Sequence, residues 1–159
     1  MQVFVPFESF AHSLAVLDRA RLGKQRMECR QIMTALRAAR HDRTVGWATH
    51  PATLAWVGHE SALAVYLTLC INEWVARGYN NTMITPYDEN WQLRPGEDPY
   101  LDKDGRSAVL PSWVGDPAVH ASHRSNLLRK DPEYYAQMGW SEPADMEYVW
   151  PTPNQGEPA

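Results

Sequence analysis

The sequence predicts a mainly α, compact single-domain helical fold with one long irregular loop, and three observations carry that expectation. Apolar residues recur with helical period through two long segments, residues 17–36 and 59–77. Capping residues stand where the periodic segments begin, and Asp116-Pro117 and Asp131-Pro132 pair a cap with a first-turn proline. Alternating apolar and polar runs, the mark of half-buried strands, are missing. With 159 residues and 44% hydrophobic content, the chain can bury about two-thirds of the surface its unfolded form exposes. That suits one helical domain over residues 1–150 and a loose Pro-rich tail at 151–159.

Taken in order, Ser9 caps a short helix carrying Phe10, Leu14 and Leu17, and Asp18 caps a longer basic helix that runs to about Arg40. In that second helix Leu22, Cys29, Ile32, Met33 and Leu36 gather on one stripe. Gly23 weakens its first turns by up to about 1 kcal/mol relative to Ala. Either the helix begins nearer Lys24 or its backbone must come close to something there. Residues 41–47 read as a loop, His50-Pro51 opens a helix, and 59–77 forms the core helix through Leu63, Tyr66, Leu67, Cys70, Ile71 and Trp74, stopped by Gly78. From Tyr79 to Pro111 repeated prolines, glycines and acids predict a long irregular acidic loop, a kind of segment that tends to be functional or disordered. Its aromatic residues Tyr87, Trp91 and Tyr100 favour packing. Asp116-Pro117 then starts a helix through His120, His123, Leu127 and Leu128, and Asp131-Pro132 a short one bearing Tyr134 and Tyr135.

No basic start followed by an apolar run marks a signal peptide, and no apolar stretch approaches the roughly 20 residues that span a bilayer. A soluble, cytoplasmic, monomeric protein with no membrane partner is expected. The two cysteines, Cys29 and Cys70, both fall on apolar stripes and read as buried thiols rather than a disulfide or metal site. Net charge is −4, yet residues 1–43 hold eight Lys/Arg against four acids, a balance of +4 that leaves −8 for the rest. Such asymmetry suits a local phosphate-binding face on an otherwise acidic protein. A phosphate-binding loop, a dinucleotide fingerprint, a Ser-His-Asp order and a CxxC pair are all missing, which disfavours nucleotide hydrolases, dehydrogenases and zinc ribbons.

The candidate chemistry centres on Glu28. Arg21, Lys24, Gln25 and Glu28 follow one another at helical spacing along the edge of the buried stripe. A carboxylate held among cations can stay ionised, accept a proton or hold a cation. The competing reading is a set of solvated ion pairs worth only a few tenths of a kcal/mol. His120 and His123 face the same way and, with His59, Glu60 or Asp116, offer a weak metal-site pattern. Polar recognition suits the run 122–126 better, bringing His123, Arg124 and Asn126 to the Glu28 cleft, unless the run is only a hydrogen-bonded helix entry. Trp47, Trp56, Trp113 and Tyr134 are candidates for stacking on a displaced base, with core filling as the alternative.

The segments RLGKQRMEC, HPATLAWVGHESALAVYLTLCINEWVARGYN and SHRSNLLRKDPEYY resemble the pyrimidine-dimer DNA glycosylase/AP lyase family of phage endonuclease V type, its bacterial and phage members in particular. The resemblance implies a compact helical protein that kinks damaged or modified double-stranded DNA, displaces a base and cleaves a glycosidic bond, with no metal or organic cofactor. On it Glu28 falls on the family's helix glutamate. Arg21, Lys24, Arg26 and Arg30 supply phosphate contacts, the His50-Pro51 to Gly58 segment and the long helix ending in Arg77-Gly78-Tyr79 look like the family's central helix and its exit, and Gln25 and His59 are further candidates for DNA contact. Leu128, Lys130, Pro132, Tyr134 and Tyr135 resemble the family's basic-Pro-aromatic stretch, which lies against distorted DNA, and His123, Arg124, Asn126 and Arg129 are further candidates for DNA contact.

In such an enzyme an uncharged amine attacks C1′ of the sugar, forms a Schiff base, and loss of a C2′ proton expels the 3′ phosphate. A free α-amino group titrates at about 7.7–8.0, so it is easier to neutralise than a lysine. The family's amine belongs to a small residue exposed by removal of the initiator methionine. Here the second residue is Gln2, whose bulk normally prevents that removal. The nucleophile is then Met1 itself or Lys24, or it is absent. In the last case the chain is a non-catalytic DNA-binding or modified-nucleotide-binding protein; a third reading is an enzyme on free nucleosides or nucleobases.

Overall fold

The helices begin where side chains can accept the orphaned N–H groups of a first turn. Ser9 accepts from His12 N–H, the Asp18 carboxylate from Ala20 and Arg21, His50 Nδ1 from Ala52, and Asp116 from Ala118. The computed structural model describes residues 1–43, 45–83, 98, 100–101 and 104–151. Among these the chain forms α1 (Phe10–Ala15), α2 (Arg19–Ala39), α3 (Pro51–Leu54), α4 (Glu60–Ala76), α5 (Pro117–Lys130), α6 (Pro132–Tyr135) and a 3-10 turn at Ala136–Met138. No strand occurs among the described residues beyond an isolated bridge between Leu101 and Ser107. The mainly α, compact fold expected from periodicity is therefore the one observed. Most of the expected loop at 79–111, and the tail beyond Pro151, lie outside the described residues.

Helix α4 is the centre, with α1 and α2 packed against it and Leu63, Tyr66, Leu67 and Cys70 fully buried. Gly23 sits within α2, and a Cβ there would stand 3.0 Å from the Trp74 ring of α4. The glycine is thus required by close helix approach, which offsets its low helix propensity. The same indole carries the Arg26 guanidinium at 4.0 Å. Cys29 and Cys70 are buried free thiols; burial pushes the Cys70 thiol up to about 12, which leaves both as packing residues.

The N-terminal segment is buried without joining a sheet, with Val3, Phe4 and Val5 at 1%, 4% and 0% exposure. Its backbone is satisfied by side chains from three helices, as burial requires. Gln25 of α2 accepts from Phe4 N–H and donates to Gln2 C=O, Tyr66 of α4 donates to Phe4 C=O, and His123 of α5 accepts from Val5 N–H. His120 meets Val5 C=O at 2.7 Å and Arg124 donates to Pro6 C=O. At the other end, residues 142–149 return along α5. Ser125 and Ser122 accept from Met146 and Val149 N–H, Asn126 donates to Met146 C=O, and Arg124 pairs with Glu142 at 2.7 Å.

Candidate active site

Threading the terminus across α2 brings Met1 and Glu28 into one cavity. Glu28 is 6% exposed; its Oε2 accepts from Gln2 N–H and from Gln25 Nε2, each at 3.2 Å. Lys24 Nζ lies 3.6 Å from Oε1, on a side chain that is 71% exposed. Gln25 donates both N–H groups, to Gln2 C=O and Glu28, and its oxygen accepts the Phe4 N–H, with the Tyr66 hydroxyl, whose one proton goes to Phe4 C=O at 2.7 Å, standing 3.1 Å away. Those three bonds fix the amide orientation and, through it, the carboxylate. The cavity measures about 320 Å³ and is bounded by Met1, Gln2, Phe4 and Ala20, by Arg21, Lys24, Gln25 and Glu28, and by Lys130 and Tyr148. The acid thus faces three cations across a partly buried space, where charge interactions are stronger than in water.

Arg21 is held by Asp18 at 2.8 Å and by the Lys130 C=O at 3.1 Å, which fixes the α2 rim to the end of α5. Burial raises the Asp18 carboxyl, and the hydrogen bonds from Arg21 and Tyr135 more than offset it, leaving Asp18 below its usual range. Tyr135, expected beside DNA, is fully buried and donates to Asp18 at 2.8 Å; Tyr134 packs on it. Arg26 turns instead to Trp74 and Asn81, and Arg30 is exposed, about 200° round the helix from Glu28. His59 meets the Val109 carbonyl at 3.2 Å, away from the cavity lining.

The 122–126 run divides. His123 approaches Gln2 Nε2 at 3.4 Å, while Arg124 and Asn126 clamp the returning C-terminal segment, and Arg129 pairs with Asn126. His123 is pushed down to about 3 by burial and by neighbouring His120. Both ring nitrogens of His120 engage backbone, at Gly115 N–H and Val5 C=O. Among the described residues no three His, Cys, Asp or Glu side chains gather in a metal-holding group. Trp56 and Trp113 pack on each other at 5.1 Å, which is core filling.

Sequence reasoning missed Tyr148, whose burial and proximity to Glu28 raise its hydroxyl to about 12 against the opposing charge of Arg129. It also read His50 only as a helix start. Burial and then the positive N-terminus lower the His50 imidazole, with Glu28 opposing. Neither residue carries a local signal of that environment, because one stands in irregular chain and the other is already explained as a cap.

The site therefore joins Met1 and a buried carboxylate inside a rim of three cations, carried on a helical scaffold. The chain belongs to the pyrimidine dimer DNA glycosylase family, whose sequence model matches residues 1–86. No curated protein and no solved structure matches it. The matched span holds Met1, Arg21, Lys24, Gln25, Glu28 and His50, whereas Lys130 and Tyr148 come from beyond it. Among the described residues no helix is long and apolar enough to cross a membrane.

Proposed function

We propose that the protein is a DNA glycosylase with AP lyase activity on damaged or modified pyrimidines in DNA, using the α-amino group of Met1 as nucleophile and Glu28 as proton shuttle. One observation carries the reading: Met1 and Glu28 line the same cavity, with the Gln2 N–H bonded to the carboxylate at 3.2 Å. In its neutral form the amine attacks C1′, the bond from C1′ to the base breaks, and the base leaves with a proton. One of the two amine protons goes with the leaving base, the C1′–O4′ bond then breaks as the nitrogen lone pair forms a protonated Schiff base, and O4′ takes a proton from solvent. Glu28 takes the C2′ proton, the C–H electron pair makes an enamine across C1′–C2′, and the C3′–O bond then breaks, releasing the 3′ phosphate and leaving a C2′–C3′ double bond conjugated to the Schiff base. Arg21, Lys24 and Lys130 hold flanking phosphates. Lys24 is mostly exposed and paired to Glu28, which suits it to phosphate binding more than to nucleophilic attack.

Borohydride reduction in the presence of an abasic duplex tests this. Trapping through the Met1 peptide, lost on acetylating or extending the terminus, is the expected result, since an amide nitrogen forms no Schiff base. Trapping through Lys24 moves the nucleophile while keeping the enzyme class. No trapping on folded protein that binds duplex in a salt-dependent way leaves a DNA-binding module; salt-independent behaviour with no duplex affinity points to free nucleosides or nucleobases.

A further inference from the structure

The mechanism leaves unused a row of aromatic rings that continues the cavity outward. Tyr148, in the cavity wall, meets Trp150 at 5.1 Å between ring centres. Trp150 meets the His50 ring at 5.9 Å and 89°, and His50 meets Trp47 at 5.7 Å and 71°. The His50 ring is fixed from behind, because its Nδ1 accepts the Ala52 N–H at 3.1 Å. At the outer end Trp47 is 54% exposed. Its φ is 75°, a left-handed backbone that aromatic residues rarely adopt. The His50 N–H bond to Trp47 C=O at 3.0 Å ties that turn to α3. An indole that is both largely in water and on an unfavourable backbone contributes little to the core, so folding alone does not account for it.

We infer that Trp47, backed by His50 and Trp150, is a stacking site for an unpaired nucleobase adjoining the sugar held in the cavity. A flat, uncharged, sequence-tolerant partner fits edge-packed rings, and every base offers a π face. Continuity singles out a base over other flat ligands. The same row starts at Tyr148 in the wall of the cavity whose cations Arg21, Lys24 and Lys130 complement a phosphate backbone. The inference rests on the reading that this cavity takes a nucleic-acid sugar.

The test uses the full chain and a duplex carrying a tetrahydrofuran abasic analogue, which binds without forming a Schiff base, with 2-aminopurine beside it. Wild-type protein is expected to hold the 2-aminopurine emission low by stacking. In Trp47→Ala emission should rise several-fold and the Kd about tenfold, with Trp47→Phe restoring both. Trp47→Gly, which suits the left-handed backbone, repeats the loss in a variant relieved of any folding cost. Unchanged affinity and emission in the Ala and Gly variants would overturn the stacking site while leaving the lyase reading in place. Trp47-dependent stacking without borohydride trapping would sink the lyase and keep the stacking site; wild-type protein with no duplex affinity would sink both.

Discussion

Replacing Gln25 by leucine asks how firmly one buried amide holds the N-terminus over the acid. Gln25 is 1% exposed and joins Phe4 N–H, Gln2 C=O, Tyr66 and Glu28. Leucine fills a similar volume but leaves the Phe4 N–H and the Gln2 C=O without those partners, each at a cost of about 1–3 kcal/mol. Tyr66 keeps its bond to Phe4 C=O and Glu28 its bond to Gln2 N–H, so those two groups add little. Allowing about 1 kcal/mol back for the added apolar contact, the net loss is about 1–5 kcal/mol. For a chain of this length that lowers Tm by roughly 2–20 °C. Urea denaturation followed by circular dichroism measures it, and trapping at a temperature where the variant is folded should also slow, because the amine is no longer fixed. A loss under about 0.5 kcal/mol would refute the view that this amide anchors the terminus.

Glu28→Gln keeps an acceptor for Gln2 N–H but removes the proton-accepting charge, so turnover should fall about 10²–10⁴-fold with little change in Tm; activity within a few-fold of wild type would reassign the shuttle. Lys24→Ala and Lys130→Ala should each reduce the salt slope of duplex binding by about 1, whereas Arg26→Ala, which strips the cation from Trp74, should lower stability and leave the slope unchanged. His123 is held down to about 3, below its ordinary 6.5, so the unfolded chain binds the extra proton first and stability falls as pH drops from 6.5 toward 3. Between pH 6.5 and 5 that loss should approach about 1.4 kcal/mol per unit and disappear in His123→Asn; an equal slope in the variant would exclude His123 as the cause. Trp47→Gly should gain about 1 kcal/mol by relieving the left-handed backbone, read as a Tm a few degrees higher, and an unchanged or lower Tm would show that the turn is not strained.

Sequence alone determined the helices, because their signals are local. Ser9, Asp18, Asp116 and Asp131 supply acceptors within three residues of the N–H groups they satisfy, and the apolar stripe of α2 is a property of one helix. The grouping of Arg21, Lys24, Gln25 and Glu28 was legible for the same reason, since all four stand on consecutive turns. Only the tertiary structure decided which groups join them. Gly23 reads as a weakness until Trp74 arrives 51 residues later to fill the space above it. Met1 comes to line the same cavity as Glu28 because Gln25, Tyr66 and His123, from three helices, satisfy an extended segment that has no sheet to enter. Arg124 and Asn126 looked like ligand contacts in the chain and instead hold residues 142–146 against α5, which is what delivers Tyr148 and Trp150 to the cavity edge. A hydrogen bond between residues more than a hundred positions apart leaves no periodicity to read; its partners are chosen by which buried backbone groups would otherwise go unpaired.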